Sequence, residues 1–208
     1  MLKNILYISG SVVIFFAGLI LYGVILNLRE VTLKEAMMEK GLKDLENVHL
    51  VIDKTDYRIL LYSNKILVKT YKAVFGKSSG MIKSSADDNI TPIGEYKICA
   101  IDTSNKYHKL FHLDYPNERD AAEAFKQGYI FNDEFNAIIL AVKKNECPPK
   151  ETKLGSEIGI HGIGTYNIIF KNLPFPFNWT NGSIAISNEN IDELYSVVKI
   201  GTPVKIIN

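Results

Sequence analysis

The chain opens with a long segment whose hydrophobic pattern is uniform rather than periodic. No charged residue occurs from Asn4 to Leu28, and Ile, Leu, Val and Phe are the main residues of Ile5–Leu28. A helix needs about 20 apolar residues to cross a bilayer core about 30 Å thick, so this segment is long enough to span a membrane. A buried core helix is the weaker interpretation, because no polar face interrupts the run. We predict a transmembrane anchor at residues 1–29.

The end of this segment argues against its removal. The residues Leu26–Arg29 include none of the small residues that mark a signal-peptide cleavage site. The first cysteine is Cys99, which excludes lipid attachment to a cysteine near the segment. The flanking charges give no orientation, since Lys3 precedes the segment while Arg29 and Lys34 follow it.

Beyond the anchor, the pattern changes twice. Residues 30–46 are rich in Lys, Glu, Leu and Met at helical spacing, and they predict a juxtamembrane helix or stalk. From Val48 onward, short β-branched and aromatic runs alternate with turn residues, which is typical of strands and hairpins. The predicted strands are His49–Asp53, Tyr57–Tyr62, Ile66–Phe75, Gly94–Ile101, His108–Asp114, Ile158–His161 and Val204–Ile207.

Helical patterns interrupt this series of strands in two places. Asn117–Gln127 and a second segment capped by Asn132 predict a helical insertion at about residues 116–147. Ile191, Leu194, Tyr195 and Val198 predict a later helix, capped by Ser187 or Asn188. The sequence therefore predicts one mainly β domain at residues 47–208 with a helical insertion.

Composition and charge narrow the function classes. Hydrophobic residues make up 47% of the 208 residues and charged residues 23%, which is ordinary for a folded domain. The net charge is only +1, and no run of Lys and Arg occurs, so we expect no nucleic-acid partner.

The two cysteines are too few for a disulfide framework. One disulfide between Cys99 and Cys147 is permitted if the domain is exported, but we expect two separate free thiols.

Three of the four histidines lie outside any recognisable catalytic or metal-binding motif. His49 lies in an apolar strand, and His108 and His112 flank Leu110 and Phe111. Metal binding by the latter pair needs a third ligand that the sequence does not show, so we assign structural roles and predict no metal.

His161 has a different setting. It ends an apolar strand and precedes Gly162 and Gly164, while Gly182 directly precedes Ser183 further along the chain. A base, a hydroxyl nucleophile and backbone N–H donors after a glycine are the parts required for acyl transfer. A turn rich in Asn and Gly explains the second segment equally well.

Several other segments accompany these residues in a fixed order. Asp88–Tyr96 reads Asp-Asn-Ile-Thr-Pro-Ile-Gly-Glu-Tyr, and Tyr115–Asp120 opens the predicted insertion. His161-Gly162 follows, and Thr180–Ile184 reads Thr-Asn-Gly-Ser-Ile. A helix, turn and strand close the chain at Asn188–Val204.

In this order the segments resemble the L,D-transpeptidase catalytic domain family of bacterial cell-wall enzymes, from about Val48 to Ile207. The family motif is His-Gly, a spacer, and Ser/Thr-x-Gly-Cys followed by an apolar residue. The resemblance implies a mainly β L,D-transpeptidase fold. It also implies a peptidoglycan stem peptide as partner and no metal or organic cofactor.

The resemblance also implies roles for individual residues. Ser183 stands at the position of the family's nucleophilic cysteine, with His161 as general base and the N–H groups of Gly182 and Ser183 as oxyanion donors. We assign substrate binding to three neighbouring residues: Gly162, Thr180 and Asn181. We expect the His161 imidazole to lie within direct or one-water reach of the Ser183 hydroxyl.

The serine departs from the family pattern in a way that bears on activity. A thiol is partly ionised near neutrality, whereas an alcohol needs a well-placed base. No acceptor that would orient His161 is evident in the sequence. Ala185 stands where many relatives carry arginine, so another group must recognise a carboxylate. Cys99 and Cys147 lie outside the motif and do not replace the nucleophile.

The resulting expectation is acyl transfer on stem peptides, in cell-wall cross-linking or remodelling. The chain would be a single-pass protein of the cell membrane with its domain in the periplasm or extracytoplasmic space. The alternative is a catalytically silent domain that binds peptidoglycan or regulates an active paralogue. A weaker third hypothesis is an envelope hydrolase that uses water as acceptor.

The anchor generates the first testable prediction. We expect the full-length chain to stay with membranes during alkaline carbonate washing, because the uncharged segment spans the bilayer without a cleavage site. Immunoblotting of the washed pellet and supernatant measures this. A shortened, soluble mature form would contradict the prediction.

Overall fold

The computed structural model describes residues 2–27, 30–80, 82–104 and 106–208. In this part of the chain eight strands form one sheet: β1 Val48–Asp53, β2 Arg58–Ser63, β3 Ile66–Lys72, β4 Gly94–Ser104, β5 His108–Leu113, β6 Gly159–Gly162, β7 Ile184–Ile186 and β8 Pro203–Ile207. The helices are α1 Leu2–Asn27, α2 Leu33–Glu39, α3 Glu118–Lys126, α4 Asn132–Lys144, α5 Asn167–Phe170 and α6 Asn188–Tyr195.

The strand order brings together segments that are far apart in sequence. The order is β3-β2-β1-β8-β4-β5-β6-β7. The β1–β8 and β6–β7 pairs are parallel, and the other neighbours are antiparallel. Just beyond β3, Val74 exchanges backbone hydrogen bonds with Ala185 of β7, at 3.0 and 2.9 Å. This bridge joins the two ends of the sheet and bends it toward a barrel.

One apolar core fills the curved sheet. Alternate residues of β1 and β2 point inward, so Leu50, Ile52, Ile59 and Leu61 are buried. The same core includes residues of the helical insertion and of α6. The prediction of a mainly β domain with a helical insertion is thereby confirmed.

The helix boundaries differ in detail from those predicted. Asn117, predicted as the first residue of a helical segment, instead caps α3, accepting hydrogen bonds from Arg119 N–H at 2.9 Å and Asp120 N–H at 3.2 Å. The cap of α4 is Phe131 rather than Asn132, which is the first residue of the helix. Asn145 ends α4 in the left-handed conformation, before the two prolines are reached.

The apolar N-terminal segment is helical over Leu2–Asn27, as predicted, and residues 1, 28 and 29 of the predicted anchor lie outside the described residues. Lys3–Ile25 is long and apolar enough to cross a membrane, judged by length and composition. Its large side chains are mostly exposed, including Tyr7, Ile14 and Tyr22. A core helix of a soluble domain would instead bury such residues.

The juxtamembrane segment is docked on the domain rather than extended from it. Thr32 caps α2 in a capping box with Glu35, and Leu33 is buried against the core. Leu33 N–H donates to Glu193 Oε1 at 2.9 Å, while Glu193 Oε2 accepts from Lys69 Nζ at 2.5 Å. The helix is therefore much shorter than residues 30–46, and α6 and β3 hold it in place.

The expectation of two free thiols is wrong. Cys99 and Cys147 form a disulfide, with their Cα atoms 5.2 Å apart. The sequence did not show this pairing, because 48 residues separate the two cysteines. The bond attaches the chain that follows α4 to strand β4, and it favours an oxidising compartment for the folded domain.

The disulfide generates the second prediction. Opening a loop of 48 residues releases chain entropy in the unfolded state worth about 4 kcal/mol in the loop-closure model. We expect the Cys99→Ser, Cys147→Ser double variant to lose about 2–4 kcal/mol in its free energy of unfolding. Urea denaturation of the full chain in detergent measures this.

The matched control is the native chain treated with a reductant, which should unfold at the same denaturant concentration as the double variant. Equal stabilities of the oxidised and reduced native chains would contradict the prediction.

Candidate functional site

Strand β6, next to the last strand of the sheet, carries His161. The strand is buried at all four residues and lies between β5 and β7. His161 is paired with Leu110 of β5 on one side and with Ala185 of β7 on the other. Ser183 immediately precedes β7, so the parallel β6–β7 pair brings the two motif segments side by side.

The hydrogen bond of His161 determines its tautomer. Its Nδ1 lies 2.8 Å from the carbonyl oxygen of Gly162. A carbonyl only accepts, so Nδ1 carries the proton and Nε2 of the neutral ring has a free lone pair. The backbone of Gly162 therefore supplies the orienting acceptor that the sequence did not reveal.

Aromatic rings surround the imidazole. Its centroid is 4.5 Å from that of Tyr107 and 5.9 Å from that of Trp179. His161 is only 4% exposed. Burial lowers its pKa below the ordinary 6.5, opposed by the Gly162 hydrogen bond and assisted by the nearby Lys106 cation. The ring is thus kept neutral, as a general base requires.

Ser183 is held by the backbone at the start of β6. Its Oγ accepts from Gly159 N–H at 3.2 Å and donates to the carbonyl of Glu157 at 3.4 Å. Within the described residues, no hydrogen bond joins Ser183 to His161. Ser183 directly precedes the strand that neighbours β6, but its hydroxyl is hydrogen-bonded elsewhere.

Thr180 closes the turn that presents Ser183. Its Oγ1 donates to the Ser183 carbonyl at 2.6 Å and accepts from Gly182 N–H at 3.3 Å. Thr180 is buried, and its backbone bonds to Phe75 and Lys77. Its hydroxyl is therefore used within the turn, which favours a positioning role over direct substrate contact.

Position 182 requires glycine because of its backbone conformation and because there is no room for a Cβ atom. Its φ is +119°, and a Cβ there would lie 2.9 Å from both Ile158 Cδ1 and the Ile90 carbonyl oxygen. Ile90 belongs to the segment Asp88–Tyr96 noted in the sequence. That segment therefore packs directly against the turn.

An ion pair holds the segment that contains Ile90. Asp88 accepts from Lys83 Nζ at 2.6 Å and from the N–H groups of Ser84, Ser85 and Ile90. Although burial opposes it, these donors hold the pKa of Asp88 below its ordinary value. The acidic residue of this motif thus supports the turn from outside.

Several N–H groups around the turn could donate hydrogen bonds to a ligand. Ser183 N–H and the buried Trp179 Nε1 have no acceptor within the described residues. In the described part of the chain, Gly182 N–H contacts a single acceptor, Thr180 Oγ1, at 3.3 Å. Asn181 is exposed, and its Oδ1 accepts from Lys77 Nζ at 3.1 Å.

Gly162 is confined by its neighbours. A Cβ at this position would lie 2.7 Å from the Tyr107 carbonyl oxygen and 2.8 Å from Asn188 Oδ1. The sequence indicated a site role for neither Tyr107 nor the Gly162 carbonyl. Tyr107 has no motif of its own, because only the β4–β5 turn brings it to His161.

The other histidines lie apart from this site. His108 contacts Asp192 at 2.9 Å, His112 contacts Asp102 at 2.9 Å, and His49 stacks on Tyr62. Among the described residues, no group of three or more His, Cys, Asp or Glu is arranged to hold a metal ion.

A cavity of about 640 Å³ lies beside the site. Trp179 and Ala185 line it next to the imidazole, and the cavity also reaches Gly23 of α1. Its charged walls include Lys69 and Glu193. Neither His161 nor Ser183 is among the lining residues.

A comparison with protein families agrees with the resemblance seen in the sequence. The family model described as YkuD, L,D-transpeptidase catalytic domain, matches residues 47–206. No curated protein matches the chain.

Solved structures give more distant similarities. Bd1075 from Bdellovibrio bacteriovorus is 19% identical with a TM-score of 0.47, over 78% of this chain and 48% of that one. A variant of the helical cell shape determining protein Pgp2 from Campylobacter jejuni is 18% identical with a TM-score of 0.48, over 85% and 54%. L,D-transpeptidase 1 from Mycobacterium tuberculosis is 12% identical with a TM-score of 0.42, over 78% and 62%. The chain spans about half the length of the first two.

His161 generates the third prediction. We expect heteronuclear NMR to show its ring neutral with the proton on Nδ1 at about pH 7, titrating below 6.5. Because the folded pKa is below the unfolded one, the unfolded state binds the proton more readily. The stability that the neutral ring contributes is then present above about pH 6.5 and is lost as the pH falls through the folded pKa.

His161→Asn is the matched variant, since its amide keeps a donor for Gly162 and does not titrate. The native chain should lose more of its free energy of unfolding than this variant on acidification below pH 6.5. Parallel pH profiles would exclude a lowered pKa.

Proposed function

This chain belongs to the L,D-transpeptidase catalytic domain family, and we propose that it performs acyl transfer on peptidoglycan stem peptides. The observation that carries the proposal is the His161 imidazole, whose Nδ1–H is fixed on the Gly162 carbonyl. This hydrogen bond leaves Nε2 as a base beside the strand that Ser183 precedes. The outcome would be cross-linking or remodelling of the cell wall.

The proposed reaction has two steps. Ser183 Oγ attacks a peptide carbonyl carbon while its proton passes to His161 Nε2, and N–H groups of Gly182 and Ser183 stabilise the oxyanion. The imidazolium then protonates the departing amine of a D-amino acid, which leaves an ester on Ser183. An acceptor amine attacks this ester and gives a proton to His161 Nε2, which passes it to the departing Ser183 Oγ and so restores the hydroxyl.

The arrangement of Ser183 limits the rate of this reaction. Its proton is directed to the Glu157 carbonyl rather than to His161, so the hydroxyl must turn before it can be deprotonated. A general base contributes about 10²–10⁴-fold. Such a factor supports slow turnover by an alcohol but not the rate of a thiolate.

A second candidate function rests on the same hydrogen bonds. In this case Ser183 acts as a structural residue, because its Oγ is hydrogen-bonded to Gly159 and Glu157 at the start of β6. The domain would then be a catalytically silent module that binds peptidoglycan or regulates an active enzyme. The cavity that Trp179 lines would retain the ligand.

We propose a single-pass membrane location with the domain on the extracytoplasmic side. Two observations support it: α1 is apolar with exposed side chains, and Cys99 is bonded to Cys147. A disulfide is favoured outside the cytosol, where peptidoglycan is also found.

The nucleophile generates the fourth prediction. We expect Ser183→Cys to raise acylation sharply, because a thiolate source replaces a weakly acidic alcohol, while peptide affinity changes little. Intact-protein mass after incubation with a stem peptide or a carbapenem measures the adduct. Ser79→Cys is the matched control, as it places an exposed thiol outside the motif and should remain unmodified.

The outcomes separate the two candidate functions. If Ser183→Cys stays unmodified while the peptide still binds, the silent module is correct. If the native chain acylates rapidly and His161→Ala lowers that rate by about 10²–10⁴-fold, the chain is a working serine enzyme.

A further inference from the structure

The connection between β6 and β7 exposes an unusual amount of apolar surface. Within Tyr166–Trp179 the only charged residue is Lys171, which pairs with Glu189 of α6. Large side chains of this segment are exposed to solvent, with exposed fractions of 63% for Tyr166, 67% for Ile168, 44% for Ile169, 52% for Phe175 and 51% for Phe177. Monomeric soluble proteins seldom expose so many neighbouring apolar side chains, and such patches mark interaction sites.

The same segment contacts the apolar helix α1. Gly23 is buried, and a Cβ added there would lie 1.7 Å from the carbonyl oxygen of Asn172. The two backbones therefore touch. Gly23 also lines one cavity together with Phe170, Phe175 and Phe177.

The contact sets the depth of the segment relative to the proposed membrane. The spanning stretch ends at Ile25, so Gly23 lies two residues, or about 3 Å along the axis, inside its end. Amphipathic elements that lie on bilayers bury their apolar side chains about 5–10 Å into the boundary between headgroups and acyl chains. The aromatic segment is at the height where this boundary would be.

The juxtamembrane contacts keep the domain at that height. Asn190 Nδ2 donates to Glu30 Oε1 at 3.0 Å, and Leu33 N–H donates to Glu193 at 2.9 Å. These bonds attach the chain just after the anchor to α6. The domain is thus held against the end of the anchor and not at the tip of a long stalk.

We propose that Tyr166–Trp179 inserts its exposed aromatic and isoleucine side chains into the interface of a phospholipid bilayer, beside the anchor. The inference rests on the membrane location proposed above. A bilayer fits this surface better than a protein partner does, because the surface is continuous with the apolar helix and offers a single, already paired, charge. Tyr, Trp and Phe are also the residues favoured at this depth.

The insertion has a consequence for the proposed chemistry. Trp179 ends the segment and contacts both Phe170, at 5.4 Å between centroids, and His161, at 5.9 Å. A segment anchored in lipid would hold the His161 site close to the membrane surface. Stem peptides near the membrane would then be the accessible substrates.

The test uses the full chain in phospholipid vesicles with a bromolipid quencher. Trp179 is the only tryptophan, so Trp179→Phe gives a background in which single tryptophans are placed. Phe175→Trp reports on the segment, with Phe177→Trp as a second position if the first variant does not fold. Tyr22→Trp reports on the anchor, and Phe131→Trp, in the insertion and 67% exposed in the native chain, is the control.

We expect brominated lipids to quench the emission at positions 22 and 175, and several-fold less at position 131. Quenching at position 22 without quenching at position 175 or 177 would refute the insertion of Tyr166–Trp179 into the bilayer, while the membrane anchor would still hold. Equal quenching at 131 and 175 would also overturn it, because the effect would not be specific to the segment. No quenching at 22 would refute the membrane location itself, and the insertion with it.

Discussion

The parallel pairing of β6 with β7 is the contact on which the candidate site depends. Its register sets His161 against Ala185 and so places Ser183 next to the start of β6. Parallel strands need a long crossover connection, and here that connection is the segment that exposes the aromatic residues. On its other side β6 approaches β5 closely, because a Cβ at Gly159 would lie 2.5 Å from the Phe111 carbonyl oxygen. One pairing therefore positions both the proposed chemistry and the proposed lipid contact.

Serine at position 183 has opposite effects on structure and reactivity. Its hydroxyl donates one hydrogen bond to Glu157 and accepts another from Gly159, each worth about 0.5–1.5 kcal/mol. A thiol is a weaker hydrogen-bonding group but a far better nucleophile at neutral pH. The same contacts that stabilise the start of β6 thus direct the proton away from His161.

Covalent and polar links hold the outer elements of the domain. The Cys99–Cys147 bond fixes the end of the helical insertion to β4, and Glu193 holds both Leu33 and Lys69. The second link joins the juxtamembrane helix to the sheet. As a result, the apolar helix and the β domain meet in a defined arrangement, which a flexible linker would not provide.

The sequence by itself determined the elements with strong local patterns: the apolar helix, most strands, the helical insertion and the motif residues around His161 and Gly182. Periodicity, capping and glycine requirements are local properties, so they can be recognised without a fold. Tertiary structure decided the disulfide, the docking of α2, the three-residue strand Ile184–Ile186 and the role of the Gly162 carbonyl. These depend on which backbone atoms meet across the sheet, and no side-chain pattern encodes a carbonyl's partner or the direction of the Ser183 hydroxyl.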